Sequence, residues 1–130
     1  MTGGVRASYR RRMRIRIVTF GLTVPTDAYA AHALQIAAGF AAWPGLLGKW
    51  WLGDPDSGTF GGVYLFASRS DADRSRESDL FRGMSANPAL TDVAVREFDV
   101  LDAPTAITAP LSLPPLRDGT GLDTVSLRTG

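Results

Sequence analysis

His32 is the only histidine of this 130-residue chain and Lys49 its only lysine, so acid–base and amine chemistry at neutral pH have few places to sit. An unperturbed imidazole titrates nearest working pH, which makes His32 the candidate catalytic base. Lys49 has two chemical uses: its ammonium steadies an anion, or its amine forms a Schiff base once burial lowers its pKa. Each also has an ordinary use, His32 as a helix-surface or core-margin residue and Lys49 as a strand lysine snorkelling to solvent.

Lys49 is followed directly by Trp50 and Trp51, inside an aromatic-rich stretch from Gly45 to Phe66. Trp51, Tyr64, Phe66, Phe20 and Trp50 are candidate walls for a flat aromatic ligand, because such side chains bury about 150–250 Å² each and stack on planar rings. Packing in the core is the competing role for each. Arg96 and Asp99, near the end of the last predicted strand, are further candidates for orienting a substrate.

Several chemistries are excluded by what is missing. There is no cysteine, so disulfides, thiol catalysis and Cys-ligated zinc are ruled out. With one histidine a metal site needs carboxylates, and none cluster at ligand spacing. No metal or cofactor is expected. A net charge of +1 with 21% charged residues gives no field to attract nucleic acid or a membrane surface. No apolar run approaches the roughly 20 residues of a membrane helix, and the chain reads as a cytoplasmic protein.

The elements that must position these residues follow from periodicity. Met13 to Leu22 alternates, with Ile15 and Ile17 on one face and Val18, Phe20 and Leu22 on the other, which predicts a strand covered on both sides. Pro25-Thr26-Asp27 then offers Thr26 or Asp27 as an N-cap for a helix over about Asp27 to Trp43. Tyr29, Ala33, Ile36, Phe40 and Trp43 recur on one helix face, and His32 falls about 60° from the middle of that stripe. Pro44-Gly45 ends this helix. Leu46 to Leu52 and Thr59 to Ala67 form a hairpin across the Gly/Asp/Pro/Ser cluster, with Leu47, Lys49 and Trp51 on one face and Leu46, Gly48, Trp50 and Leu52 on the other. Ser70 and Asp73 resemble a capping box for a second helix over about Asp71 to Met84, with Asp73–Arg76 and Asp79–Arg82 as i,i+3 pairs. Asp92 to Leu101 is the fourth strand. Residues 1–12 read as a flexible arm, and the cluster Arg10, Arg11, Arg12, Arg14 and Arg16 reads as a solvated N-terminal tail in preference to a phosphate contact. Residues 109–130 read as an extended tail, with Val125 to Leu127 as a possible edge strand.

The order β-α-β-β-α-β within residues 13–108 predicts an α+β, ferredoxin-like domain, a four-stranded antiparallel sheet with two helices on one face. Because the other face is also apolar, a homodimer that packs two sheets face to face is expected. The residues Gly45-Leu46-Leu47, Lys49-x-Trp51, Gly61-Gly62-Val63-Tyr64-Leu65-Phe66, and Phe98-Asp99-Val100 before Pro104 resemble the YdhR-type monooxygenase family. That family is a branch of the dimeric α/β-barrel superfamily. The resemblance implies oxygenation without metal, flavin or haem, in a cavity between sheet and helices.

Three functions follow. The first is a cofactor-independent monooxygenase acting on an aromatic polycyclic or polyketide-derived small molecule, which needs aromatic walls, one base and a group that steadies an anion. The second is a non-oxidative cyclase, isomerase or decarboxylase using the same cavity. The third is a non-catalytic small-molecule or haem-binding module, with His32 as an axial ligand.

Overall fold

A computed structural model describes residues 12–109. The elements are β1 (Arg14–Leu22), α1 (Thr26–Ala41), β2 (Leu46–Asp54), β3 (Thr59–Phe66), α2 (Arg69–Ser75), α3 (Asp79–Ala86), β4 (Leu90–Asp99) and α4 (Asp102–Thr108). All strand pairs are antiparallel in the order β2-β3-β1-β4, which is the predicted ferredoxin-like α+β fold. A separate compact unit starts at Leu101, and its described part contains α4, a helix that the Pro- and Thr-containing sequence did not lead us to expect. The predicted arm and tail, including Val125 to Leu127, lie outside the described residues apart from Arg12 and Ala109. No helix among the described residues is long and apolar enough to cross a membrane.

Caps account for where the helices differ from expectation. α1 starts one residue early, with Pro25 as an N-cap that lends no side chain, so neither Thr26 nor Asp27 has that role. The single second helix is two short ones. Ser68, not Ser70, caps α2 by accepting the Asp71 N–H at 3.1 Å, and Ser78 caps α3 by accepting the Phe81 N–H at 3.2 Å. A serine in mid-pattern competes for backbone groups and caps a new helix. The predicted i,i+3 ion pairs give way to Arg74–Asp71, Arg82–Glu77 and Arg76–Glu97.

Strand register sorts the sheet into two faces. Arg16 lies opposite Tyr64, Val18 opposite Gly62 and Phe20 opposite Phe60, and these residues point to the helices. Tyr29, Ile36 and Phe40 of α1, Trp43, Ala72 of α2, and Leu80, Phe81 and Met84 of α3 close over them. Trp43, Tyr64 and Phe66 lie nearly parallel, each centroid 5.9–6.2 Å from the other two. Ile15, Ile17, Val63, Leu65, Trp50 and Phe98 share the opposite face by the same register. An irregularity between Leu46 and Gly48 moves Leu46, opposite Phe66, onto the helix face, correcting the strict alternation expected there.

The largest departure from the sequence reading is Arg16. It is not part of a solvated arm but a fully buried residue of β1. Its Nε donates to Glu97 at 2.6 Å and its Nη2 to the Ala72 carbonyl at 2.9 Å, while its guanidinium lies over Phe66 and Phe81 at 4.9 and 4.7 Å. Glu97 also accepts from Arg76 at 2.8 Å and lies 3.6 Å from Arg14. Burial alone would raise the Glu97 carboxyl, but the hydrogen bond and charge of Arg16, joined by Arg76, hold it below its ordinary value.

A depressed folded pKa stabilises the fold fully above the unfolded value of 4.5, and that stabilisation is lost as pH falls through the folded value. Removing the anion leaves Arg16 buried and unneutralised, so Glu97→Ala is expected to cost about 3–5 kcal/mol. It should also flatten the acid limb of stability. Urea unfolding between about pH 6 and about pH 2 checks both.

Candidate functional site

An open apolar cavity of about 600 Å³ lies between the sheet, α1, α3 and the turn into β4. The helix period carries Tyr29, His32, Ile36 and Phe40 of α1 onto its wall, the strand period carries Phe20 of β1 and Trp51 of β2, and α3 supplies Asp79, Leu80 and Met84. His32 and Trp51 therefore border one space. His32 is solvent-exposed, at the rim position that its angular offset from the apolar stripe predicts. The Tyr29 ring is fixed edge-on between Phe20 and Phe60, at 5.8 and 5.7 Å, and burial raises its phenol pKa, so it stays a protonated donor. The Phe40 and Trp51 rings meet edge to face at 5.5 Å.

Lys49 stands behind this wall. Its Nζ lies 3.3 Å from the centroid of Phe40, 3.4 Å from that of Trp51 and 4.6 Å from that of Tyr64. Gly62 makes the space: a Cβ there would stand 3.1 Å from Lys49 Cε and 3.4 Å from the Tyr64 ring. The ammonium forms no ion pair or hydrogen bond among the described residues. Burial lowers its pKa to about 7, while the three ring faces favour the charged form. Lys49 thus neither snorkels to bulk water nor borders the cavity directly.

The other sequence candidates are dispersed. Tyr64 and Phe66 share the helix face with Trp51 but lie deeper, under Trp43, and do not reach the cavity. Burial of the Tyr64 phenol raises its pKa. Trp50 is 57% exposed on the opposite face of the sheet. Arg96 is on that face too, with its guanidinium 5.1 Å from the Phe98 ring centroid. Asp99 is held by Arg14 at 2.8 Å and Arg69 at 3.4 Å, away from the cavity. Tyr29 and Phe40, read from sequence only as core, are wall residues, and Asp79, read as half of an ion pair, borders the same space. Among the described residues no three His, Cys, Asp or Glu side chains gather as metal ligands.

A second, shallower groove of about 380 Å³ runs between α1 and β2, past Ala33, Leu34 and Leu52. Tyr29 and Trp51 are the two residues that border both spaces.

Because the chain has a single lysine, the 13Cε resonance of Lys49 is unambiguous in a labelled sample. Followed against pH, it is expected to titrate near 7 rather than near 10.5, and to move back toward 10.5 on unfolding in urea.

The model of the family described as Putative mono-oxygenase ydhR matches residues 15–110. No curated protein matches the chain. Among solved structures, SnoaB, a cofactor-independent oxygenase from Streptomyces nogalater, is 16% identical, with 71% of this chain and 96% of that one covered at a TM-score of 0.59. A protein from Caulobacter crescentus described as a putative antibiotic biosynthesis monooxygenase is 19% identical, with 76% and 99% covered at 0.60. NE2512 from Nitrosomonas europaea, of unknown function, is 21% identical, with 72% and 94% covered at 0.57. At these identities the three structures share the fold.

Proposed function

Because this chain belongs to the ydhR mono-oxygenase family, we propose that it is a cofactor-independent monooxygenase acting on a planar, acidic aromatic molecule of polycyclic or polyketide-derived type. The observation that carries this reading is the shared cavity of His32 and Trp51, walled by the rings of Phe20, Tyr29 and Phe40. A substrate of anthrone type stacks on these rings with its acidic CH₂ toward His32. The imidazole takes one proton, and the resulting carbanion adds to O₂ and gives a peroxide on the substrate. Loss of water from that peroxide leaves a ketone: one oxygen atom stays in the product and the other leaves as water. The substrate supplies the electrons. Tyr29, whose phenol burial keeps protonated and which borders the cavity, donates in this reading to the developing enolate oxygen.

Incubation of metal-free protein with an anthrone under ¹⁸O₂ is expected to place one labelled atom in the quinone. His32→Ala should lower kcat by about 10²–10⁴-fold, the usual share of general acid–base catalysis. Trp51→Ala should act mainly by raising KM. No label in the product, or turnover unchanged without oxygen, overturns the oxidative reading and favours a cyclase or isomerase.

The same reading includes a homodimer formed through the sheet face away from the helices, where Trp50, Leu52 and Phe98 are 57%, 38% and 43% exposed beside Ile15, Ile17, Val63 and Leu65. A second copy of the sheet covers such a surface with matching chemistry. Sedimentation equilibrium is expected to give twice the chain mass for the wild type and a monomer for the double variant Trp50→Asp, Leu65→Asp. A monomeric wild type overturns this part.

A further inference from the structure

The geometry points to Lys49 as the group that makes this cavity select planar aromatic anions over their neutral counterparts, acting through the Phe40 and Trp51 rings rather than by contact. The inference rests on reading the cavity as an aromatic-binding site, and it adds the charge of the ligand to that reading.

The cations on the helix face of the sheet differ in one respect. Arg14, opposite Phe66, is paired with Asp99, and Arg16 is neutralised by Glu97, whereas Lys49 forms no ion pair among the described residues. The Lys49 ammonium lies 3.3 and 3.4 Å from the centroids of two rings that themselves border the cavity, so its charge stands one ring away from any ligand there. A cation on a ring draws π density toward itself and leaves the rest of that ring less repulsive to an anion. In a partly desolvated site the field of an unpaired charge also carries further than in water. Asp79, on the cavity wall at the start of α3, is exposed and favours the opposite sign. An aromatic anion is therefore oriented with its charged edge toward β2 and away from α3.

Lys49 is a positioning residue here, since it touches the ligand only through Trp51 and Phe40. It is best tested with ligands that differ in charge and little else. Anthracene-9-carboxylate and anthracene-9-carboxamide bind at about pH 6, where Lys49 is protonated and the acid ionised. Titration into the full chain is read by quenching of tryptophan fluorescence. The wild type is expected to prefer the carboxylate about tenfold. Lys49→Met should remove the preference while leaving carboxamide affinity within about twofold, and Lys49→Arg, which keeps the charge, should retain it. Circular dichroism of each variant confirms that the comparison is between folded proteins.

Equal affinity of the wild type for the two ligands, or an equal loss of both in Lys49→Met, overturns the inference and leaves the aromatic-site reading standing. Failure of the wild type to bind either ligand overturns that reading and the inference with it.

Discussion

The layer between sheet and helices depends on an aromatic surface that accommodates two cations. Trp43, Tyr64 and Phe66 lie nearly parallel, with interplanar angles of 18°, 18° and 1°. Arg16 stands 5.6 Å from the Tyr64 centroid and Lys49 4.6 Å from it. Ring faces lower the cost of taking a cation out of water, but they do not cancel its charge. Arg16 has a carboxylate to do that, and its hydrogen bonds tie β1, β4 and α2 together. Lys49 has no such partner among the described residues. The same aromatic layer thus serves two ends: on one side it completes a structural clamp, and on the other it leaves an electrostatic demand beside the cavity.

That division explains which parts of the molecule were legible in the sequence. The period of three and four between Tyr29 and Trp43 defines α1, and alternation in β1 and β3 defines the sheet, because in each segment one face turns toward the core. Ser78 obscured the break between α2 and α3, since a serine reads equally well as a helix surface residue until its hydroxyl is seen holding the Phe81 N–H. Arg16 was misread because a run of arginines at the start of a chain suggests solvent, and its partner Glu97 lies eighty-one residues away. No local pattern carries that contact.

The site was legible in proportion to how far period alone determines position. Parity places Lys49 with Trp51 on one face of β2 and Tyr64 with Phe66 on one face of β3, and the register of Lys49 opposite Tyr64 joins the two into one surface. Depth on that face is set by what the helices cover: Trp43 lies over Tyr64 and Phe66, while Trp51, on the edge strand, is 37% exposed and reaches the cavity. His32 follows directly from its angle on α1. Asp79 and the turn into β4 lie more than forty residues beyond His32 and had no signal linking them to it. The Gly61-Gly62 pair is legible in retrospect. At Gly61 a side chain would strike the Val18 carbonyl of β1, and at Gly62 it would take the room that Lys49 needs.

Tyr29 and Trp51 border both the cavity and its neighbouring groove. Smaller residues at these two positions would merge the spaces into one elongated channel, at the cost of a few ring contacts and no hydrogen bond of the sheet. The length of ligand the site accepts would then depend on two side chains, independently of the strands and helices that make the fold.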